Sequence, residues 1–240
     1  MNKKIVIPHE HGGWAMVSVP FFIGMAAGQP HWLHICLFAG WLLLYLASYP
    51  LLQAVKRTKE RHVMLRWGAG YGLAAICCLI IPLMYYPQLF IFAVPLCLLL
   101  MINIYYAKQK KERALLNDIC AIFSFSLAAA AAYLVGGGTW NLTMLQVVLV
   151  NFVYFIGTAF FVKTVFRERL SKQWRVYAKV YHVLALLVPF AIGQPWVILA
   201  FIFPALRTFL YAGKKLKPMK VGVLEIVGAV QFLILSIVVI

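Results

Sequence analysis

Uncharged stretches of about 18 to 23 residues recur along the chain, each long enough to cross a hydrocarbon core of about 30 Å as a helix. Counting them gives about nine spans, near residues 13–28, 32–52, 67–85, 89–106, 115–135, 142–162, 181–192, 196–211 and 221–240. None alternates with the period of two that a lipid-facing strand requires, which excludes a barrel. The pattern predicts an all-α, polytopic membrane helix bundle of about nine transmembrane helices. No linker or low-complexity tract interrupts residues 1–240, so one domain is expected. The first stretch is interrupted by Trp14, Pro20 and Gly28 and lacks an A-x-A cleavage pattern, which reads as a retained span and not a signal peptide. Composition agrees: 64% of the 240 residues are hydrophobic and only 12% are charged, about half the share a soluble domain needs for its polar skin.

The few charges fix an orientation. All 22 Lys and Arg lie in the amino-terminal tail, in the connections after spans two, four, six and eight, or in the helix ends beside them. The other connections, "GQPHW", "YYPQ", "GGGTWN" and "GQPW", carry none. Positive-inside bias places the amino terminus and the basic loops in the cytoplasm. A net charge of +16 thereby has a membrane explanation, and no nucleic-acid partner is expected, since that reading would need the charges on one continuous exposed face. The five cysteines, Cys36, Cys77, Cys78, Cys97 and Cys120, sit in or beside apolar spans without a C-x-x-C, as small buried hydrophobes do. Prolines inside spans, Pro20, Pro82, Pro95, Pro189 and Pro204, predict kinks whose freed carbonyls face other helices or a cavity. The turns "GQPHWLHI" and "GQPWVILA" echo one another, which fits either a repeat pairing spans one and two with seven and eight or two independent Gly-Pro breaks with interfacial Trp.

Acidic residues are scarce, and all six lie at or near the inner ends of spans: Glu10, Glu60, Glu112, Asp118, Glu168 and Glu225. Glu60, Glu112 and Glu168 stand among basic neighbours and read as solvated loop charges. Glu225 lies five residues past Lys220, about 7 Å into span nine, and Arg207 seven before Lys214, about 10 Å deep in span eight. An unpaired charge at that depth is costly, and the two helices are joined by a short loop, so a structural ion pair Arg207–Glu225 is expected. Asn117, Asp118, Lys163, Arg167, Tyr177, Tyr181 and His182 reach the same inner layer, as do His9, Glu10 and His11 before span one. Asp118, His182 and Glu225 are too short to snorkel far, and a shared polar cavity at the cytoplasmic side is the expectation.

Lys163, Arg167, Arg169 and Arg207 outnumber the nearby carboxylates, so an anionic ligand fits better than a cation, with Arg suited to bidentate contacts. The amino ends of spans one, five, seven and nine add positive dipole ends. An anionic lipid, phosphorylated or isoprenoid, is the preferred ligand class, with ordinary bilayer headgroups as the competitor. His9, Glu10, His11, Asp118 and His182 are the acid–base candidates. A metal at His9 and His11 needs a third ligand such as Glu225 or His182, and b-type haem needs two histidines facing at one depth; the metal stays unassigned. Pro8 and Glu10 suit a helix start, but capping leaves His9, His11 and Gly12-Gly13 unexplained.

The stretches "PHEHGGWAM", "LLNDICAIFSFSLAAAAAYLVGG" and "FFVKTVFRER" followed by "YHV" resemble the YwiC-like family of bacterial integral membrane proteins. The likeness covers most of the chain and implies a multi-pass protein of the bacterial inner membrane. It singles out His9, Glu10, His11, Asn117, Asp118, Lys163, Arg167, Glu168, Arg169 and His182, without supplying a reaction. A looser, architectural likeness is to the intramembrane prenyltransferases of the UbiA superfamily, which bind magnesium diphosphate through Asp-rich motifs after spans two and six. Here "QAVKRTKE" and "KTVFRERL" stand at those places, without N-D-x-x-D or D-x-x-x-D. Magnesium remains possible through Glu60, Glu168 and Asp118, but the motif is absent. Three functions follow as alternatives: an intramembrane site that binds or modifies an anionic lipid, a transporter with sparse mid-membrane polar groups (Asn103, Ser124, Ser126, Asn151, Thr158 and Gln231), or an accessory protein without a site of its own. Whether the chain is an enzyme, and its oligomeric state, stay open.

Overall fold

The computed structural model describes residues 5–8, 11–56 and 58–239, and among them every regular element is helical. In chain order these are α1 (His11–Ala27), α2 (Leu33–Lys56), α3 (Arg61–Tyr85), α4 (Ala93–Lys108), α5 (Leu115–Val135), α6 (Leu142–Val165), α7 (Lys172–Ala185), α8 (Val188–Ala191), α9 (Ile198–Tyr211) and α10 (Pro218–Val239). Six stretches are long and apolar enough to cross a membrane: α2, α3, Pro87–Lys108, α5, α6 and α10. The apolar parts of α1 and of Pro195–Tyr211 are shorter.

Short connections reverse the chain after each span, so its loops collect at two ends. At one end Gln29 N donates to Gly136 O at 2.8 Å, Trp140 Nε1 to Gln88 Oε1 at 3.4 Å, and Gln146 Nε2 to Ile192 O at 2.6 Å, which gathers the uncharged connections. His34 joins them, its Nε2 2.9 Å from Ala132 O and its Nδ1 3.0 Å from His31 O. At the other end Lys56 pairs with Glu112 at 2.6 Å, Lys163 Nζ donates to Arg113 O at 2.6 Å, and Gly213 N to Thr164 O at 3.2 Å. The basic loops therefore share one face of the bundle, as the charge pattern predicts.

Two expectations shift. The span expected near 181–192 is not one helix: α7 starts at Lys172, where Ser171 Oγ accepts from Trp174 N at 3.3 Å, and ends at Ala185, α8 is a separate turn, and neither is among the stretches long and apolar enough to cross a membrane. Lys172, Arg175 and Lys179 in the first half of α7 lower its hydropathy, yet long cationic stems lie along an apolar helix with their heads in water. Pro95 does not break a helix interior: it stands in the first turn of α4, where the missing N–H removes no bond. Pro189 likewise opens α8, and Gly193 at φ 73° ends it.

In lipid, burying apolar side chains between helices gains little over leaving them among acyl chains, so close backbone packing and polar contacts hold a bundle together. The centre follows that rule. The run Ala128, Ala129, Ala130 and Ala132 on α5 is buried, and α1 approaches it so closely that a Cβ at Gly24 would overlap the backbone of Ala129. Helices α5 and α6 form the buried middle, with α1 against both. On one flank stand α2, α3 and α4, and on the other α7, α9 and α10. The outer faces of α3 and α4 expose Leu73, Ile76, Ile80, Leu98 and Met101, as lipid-facing helices do.

Candidate functional site

Polar groups at the basic end fall into two centres, where the sequence suggests one shared cavity. The first joins α2, the α4–α5 loop, α5 and α6. Asp118 Oδ2 lies 2.8 Å from Lys163 Nζ, which also donates to Arg113 O at 2.6 Å. Asn117 Nδ2 donates to Glu112 O at 2.6 Å, and the Glu112 carboxylate meets Lys56. These bonds tie the loop down and leave its cations on the rim. Lys110, Lys111, Glu112, Arg113, Ala114 and Arg167 line an open depression there. Ala114, the residue before α5, is extended and carries no side-chain cap, so the first α5 amides are left for another acceptor. The buried Asn117 Oδ1 beside them has no hydrogen-bond partner among the described residues.

The second centre lies within the bundle among α6, α7, α9 and α10. Arg207 Nη1 stands 2.7 Å from Glu225 Oε1, the pairing expected from their depths, with the Arg207 side chain 1% exposed and that of Glu225 18%. The guanidinium also sits 4.2 Å from the centre of the Phe161 ring, a cation–π arrangement. Next to it, His182 Nδ1 meets Ala178 O at 2.8 Å and its Nε2 meets Thr208 Oγ1 at 3.2 Å. A Cβ at Gly157 would approach His182 Nε2 to 3.1 Å, so the absent side chain is what admits the ring. Tyr154 stacks on Phe232 at 3.8 Å with its hydroxyl toward Gly228.

The helical geometry explains the split. Gly157 and Lys163 are six residues apart on α6, about 9 Å of rise and 240° of turn, so His182 and Asp118 meet different faces of that helix. Asp118, Lys163 and, on the rim, Arg167 come together; His182, Arg207 and Glu225 form the other group. Arg169 is half-buried in the loop after α6. His9 and Glu10 lie outside the described residues, and His11 enters only as the first residue of α1. No group of three His, Cys, Asp or Glu suited to a metal occurs among the described residues, and Glu112, Asp118 and Glu225 each face a cation.

Sequence reasoning missed Lys110, Lys111 and Arg113, which read as ordinary loop charges, and Tyr154, which reads as one more aromatic in an apolar span. A signal for Tyr154 does exist: Glu225, Gly228 and Phe232 recur at helical spacing on α10, a carboxylate, a gap and a ring on one face.

The YwiC-like protein family matches residues 7–133. The protein named "Uncharacterized protein YwiC" from Bacillus subtilis (strain 168) is 38% identical over 230 residues, covering 96% of each chain. A second relative, from Haemophilus influenzae, is 34% identical over 236 residues, covering 98% of each. No solved structure matches, and the looser likeness to the UbiA superfamily is not shown. With a family match over more than half its length and two relatives alike from end to end, this chain belongs to the YwiC-like family.

Proposed function

We propose that the protein binds the anionic head of a phosphorylated or isoprenoid lipid at the cytoplasmic face of the bacterial inner membrane. One observation carries the reading: Lys110, Lys111, Arg113 and Arg167 surround a depression at the uncapped start of α5. Four cations and free helix amides suit a phosphate, with arginine able to grip two oxygens at once. Lys163 is held by Asp118 just behind the rim and supports the loop's position. Acid–base chemistry on the bound lipid, if the protein performs it, falls to His9, Glu10, His11 and Asp118. His182 has both nitrogens engaged inside the bundle and is better suited to packing. The transport alternative draws less support, since Asn103, Ser124, Ser126 and Thr158 each donate to a carbonyl of their own helix.

The test is native mass spectrometry of the purified protein with its co-extracted lipids. Wild type retains anionic lipid, and a variant with Lys110, Lys111, Arg113 and Arg167 all changed to Gln loses it. An unchanged lipid complement in that variant refutes the site. Incubation with labelled polyprenyl diphosphates then asks whether binding leads to turnover.

A further inference from the structure

The buried pair of the second centre is incompletely satisfied. Arg207 and Glu225 are in charge contact at 2.7 Å, but Nε, Nη1 and Nη2 of the arginine and Oε1 of the glutamate are buried and lack an aligned hydrogen-bond partner among the described residues. Tyr154 OH is buried and unpartnered too, and a Cβ at Gly228, one turn beyond Glu225, would come within 3.0 Å of it. Such groups are rarely left unmade in an interior, and in arginine the Nε–Nη2 edge is one that grips an oxyanion through two oxygens. Space exists for the glutamate to leave: a Cβ at Gly222, one turn toward the basic end, would meet nothing within 4 Å. Gly222 also extends the line of Ile226, Ala229 and Leu233, which with Trp14 and Val19 forms an apolar groove between α1 and α10.

We propose that Arg207, Glu225 and Tyr154 form an intramembrane site that takes up an oxyanion together with one proton. The step balances by charge. A cytoplasmic proton adds to the Glu225 carboxylate, the ion pair at Nη1 loses its negative member, and the guest becomes the counter-charge of Arg207 through two oxygens on the unpartnered Nε–Nη2 edge, with Tyr154 OH donating. Neither form leaves a lone buried charge, which is the costly state. Beside the pair stand Tyr154 and Phe161 from α6; Thr208, next to Arg207 on α9, bonds His182 of α7 at 3.2 Å, and Lys220, earlier on α10, is turned to the Tyr211 ring at 5.0 Å. The described α1 side chains from Gly12 to Ala27 include no titratable group. This site is separate from the rim depression and does not depend on it.

The experiment is isothermal titration calorimetry of the full chain in nanodiscs, in two buffers of different ionisation enthalpy, which counts protons. The probes are methanesulfonate and a long-chain alkanesulfonate, whose charges do not change with pH. Above the titration of Glu225, where the proton count is made, wild type takes up one proton per anion and its affinity falls about tenfold per pH unit. E225Q, which resembles the protonated form, binds with no proton uptake and no pH dependence, and R207Q/E225Q, which keeps the pair neutral, does not bind. Binding of the short probe identifies a free anion as the guest; binding of the long one alone identifies an amphiphile with its chain in the α1–α10 groove. Wild-type binding without proton uptake, binding retained in R207Q/E225Q, or neither probe binding wild type at any pH overturns the proposal. The wild-type proton count decides the matter even if E225Q cannot be purified.

Discussion

Replacing Arg207 by Gln strands the Glu225 carboxylate within the bundle. Breaking one side of a buried pair costs about 3–5 kcal/mol, because the remaining charge has lost its counterion. The structure places the two single losses at different points in that range. A carboxylate stranded there escapes part of that cost by taking up a proton, whereas a guanidinium cannot escape it by losing one, so R207Q should cost about 3 kcal/mol. Arg207 is 1% exposed, so E225Q should cost about 5 kcal/mol, less when an anion is supplied. Removing both charges leaves two amides of similar size, and R207Q/E225Q should recover most of the loss. For a chain of this length 1 kcal/mol corresponds to about 2–4 °C, so R207Q should lower the midpoint by about 6–12 °C. Thermal unfolding in detergent, followed with a thiol-reactive dye in a background where Cys36, Cys77, Cys78 and Cys97 are changed to Ser so that the buried Cys120 alone reports, measures all three variants. Single losses that add in the double variant to within about 0.5 kcal/mol mean that the two side chains act independently, and the pairing argument fails.

Packing at the α1–α5 crossing gives a second test. Gly24→Ala should cost about 1–3 kcal/mol, since its Cβ has only backbone of Ala129 to displace, whereas Gly70→Ala on the open face of α3 should be neutral or mildly stabilising; the same dye assay compares them. Asp118→Asn should cost about 1 kcal/mol, with an effect that shrinks in high salt, because the carboxylate is 31% exposed and partly screened. His182→Ala should lower stability by about 1–3 kcal/mol through the lost Ala178 and Thr208 contacts, and a fully stable variant would contradict its packing role. Single cysteines at Lys110 and Thr139 should label from opposite sides of sealed vesicles; labelling from one side contradicts the orientation.

How much of this was legible depends on the scale of the signal. The all-helical bundle and the loop sorting came through because each rests on about 20 residues of uniform hydropathy or on a burst of lysines and arginines, although among the described residues six of the nine expected spans are long and apolar enough to cross. Depth along a helix was legible as well, and it paired Arg207 with Glu225. Azimuth was not: Asp118 meets Lys163 and His182 meets Gly157, about 9 Å apart along α6 and on different faces, and which face each meets depends on how α5 and α7 are placed around it. The first half of α7 was hidden because an amphipathic helix does not stand out by hydropathy. The rim cations were hidden for the opposite reason. Lys110, Lys111 and Arg113 look like any inner loop until Lys163 takes up Arg113 O and Asn117 takes up Glu112 O, fixing the loop around the start of α5.

The claim on which the functional reading rests is that this fixed loop holds an oxyanion. A density map of the protein extracted with its native lipids measures it directly. The account predicts a phosphate-sized feature within hydrogen-bond reach of Arg113, Arg167 and the first amides of α5, with a chain descending into the bilayer. An empty depression in a map that resolves lipid heads elsewhere on the same face would contradict it.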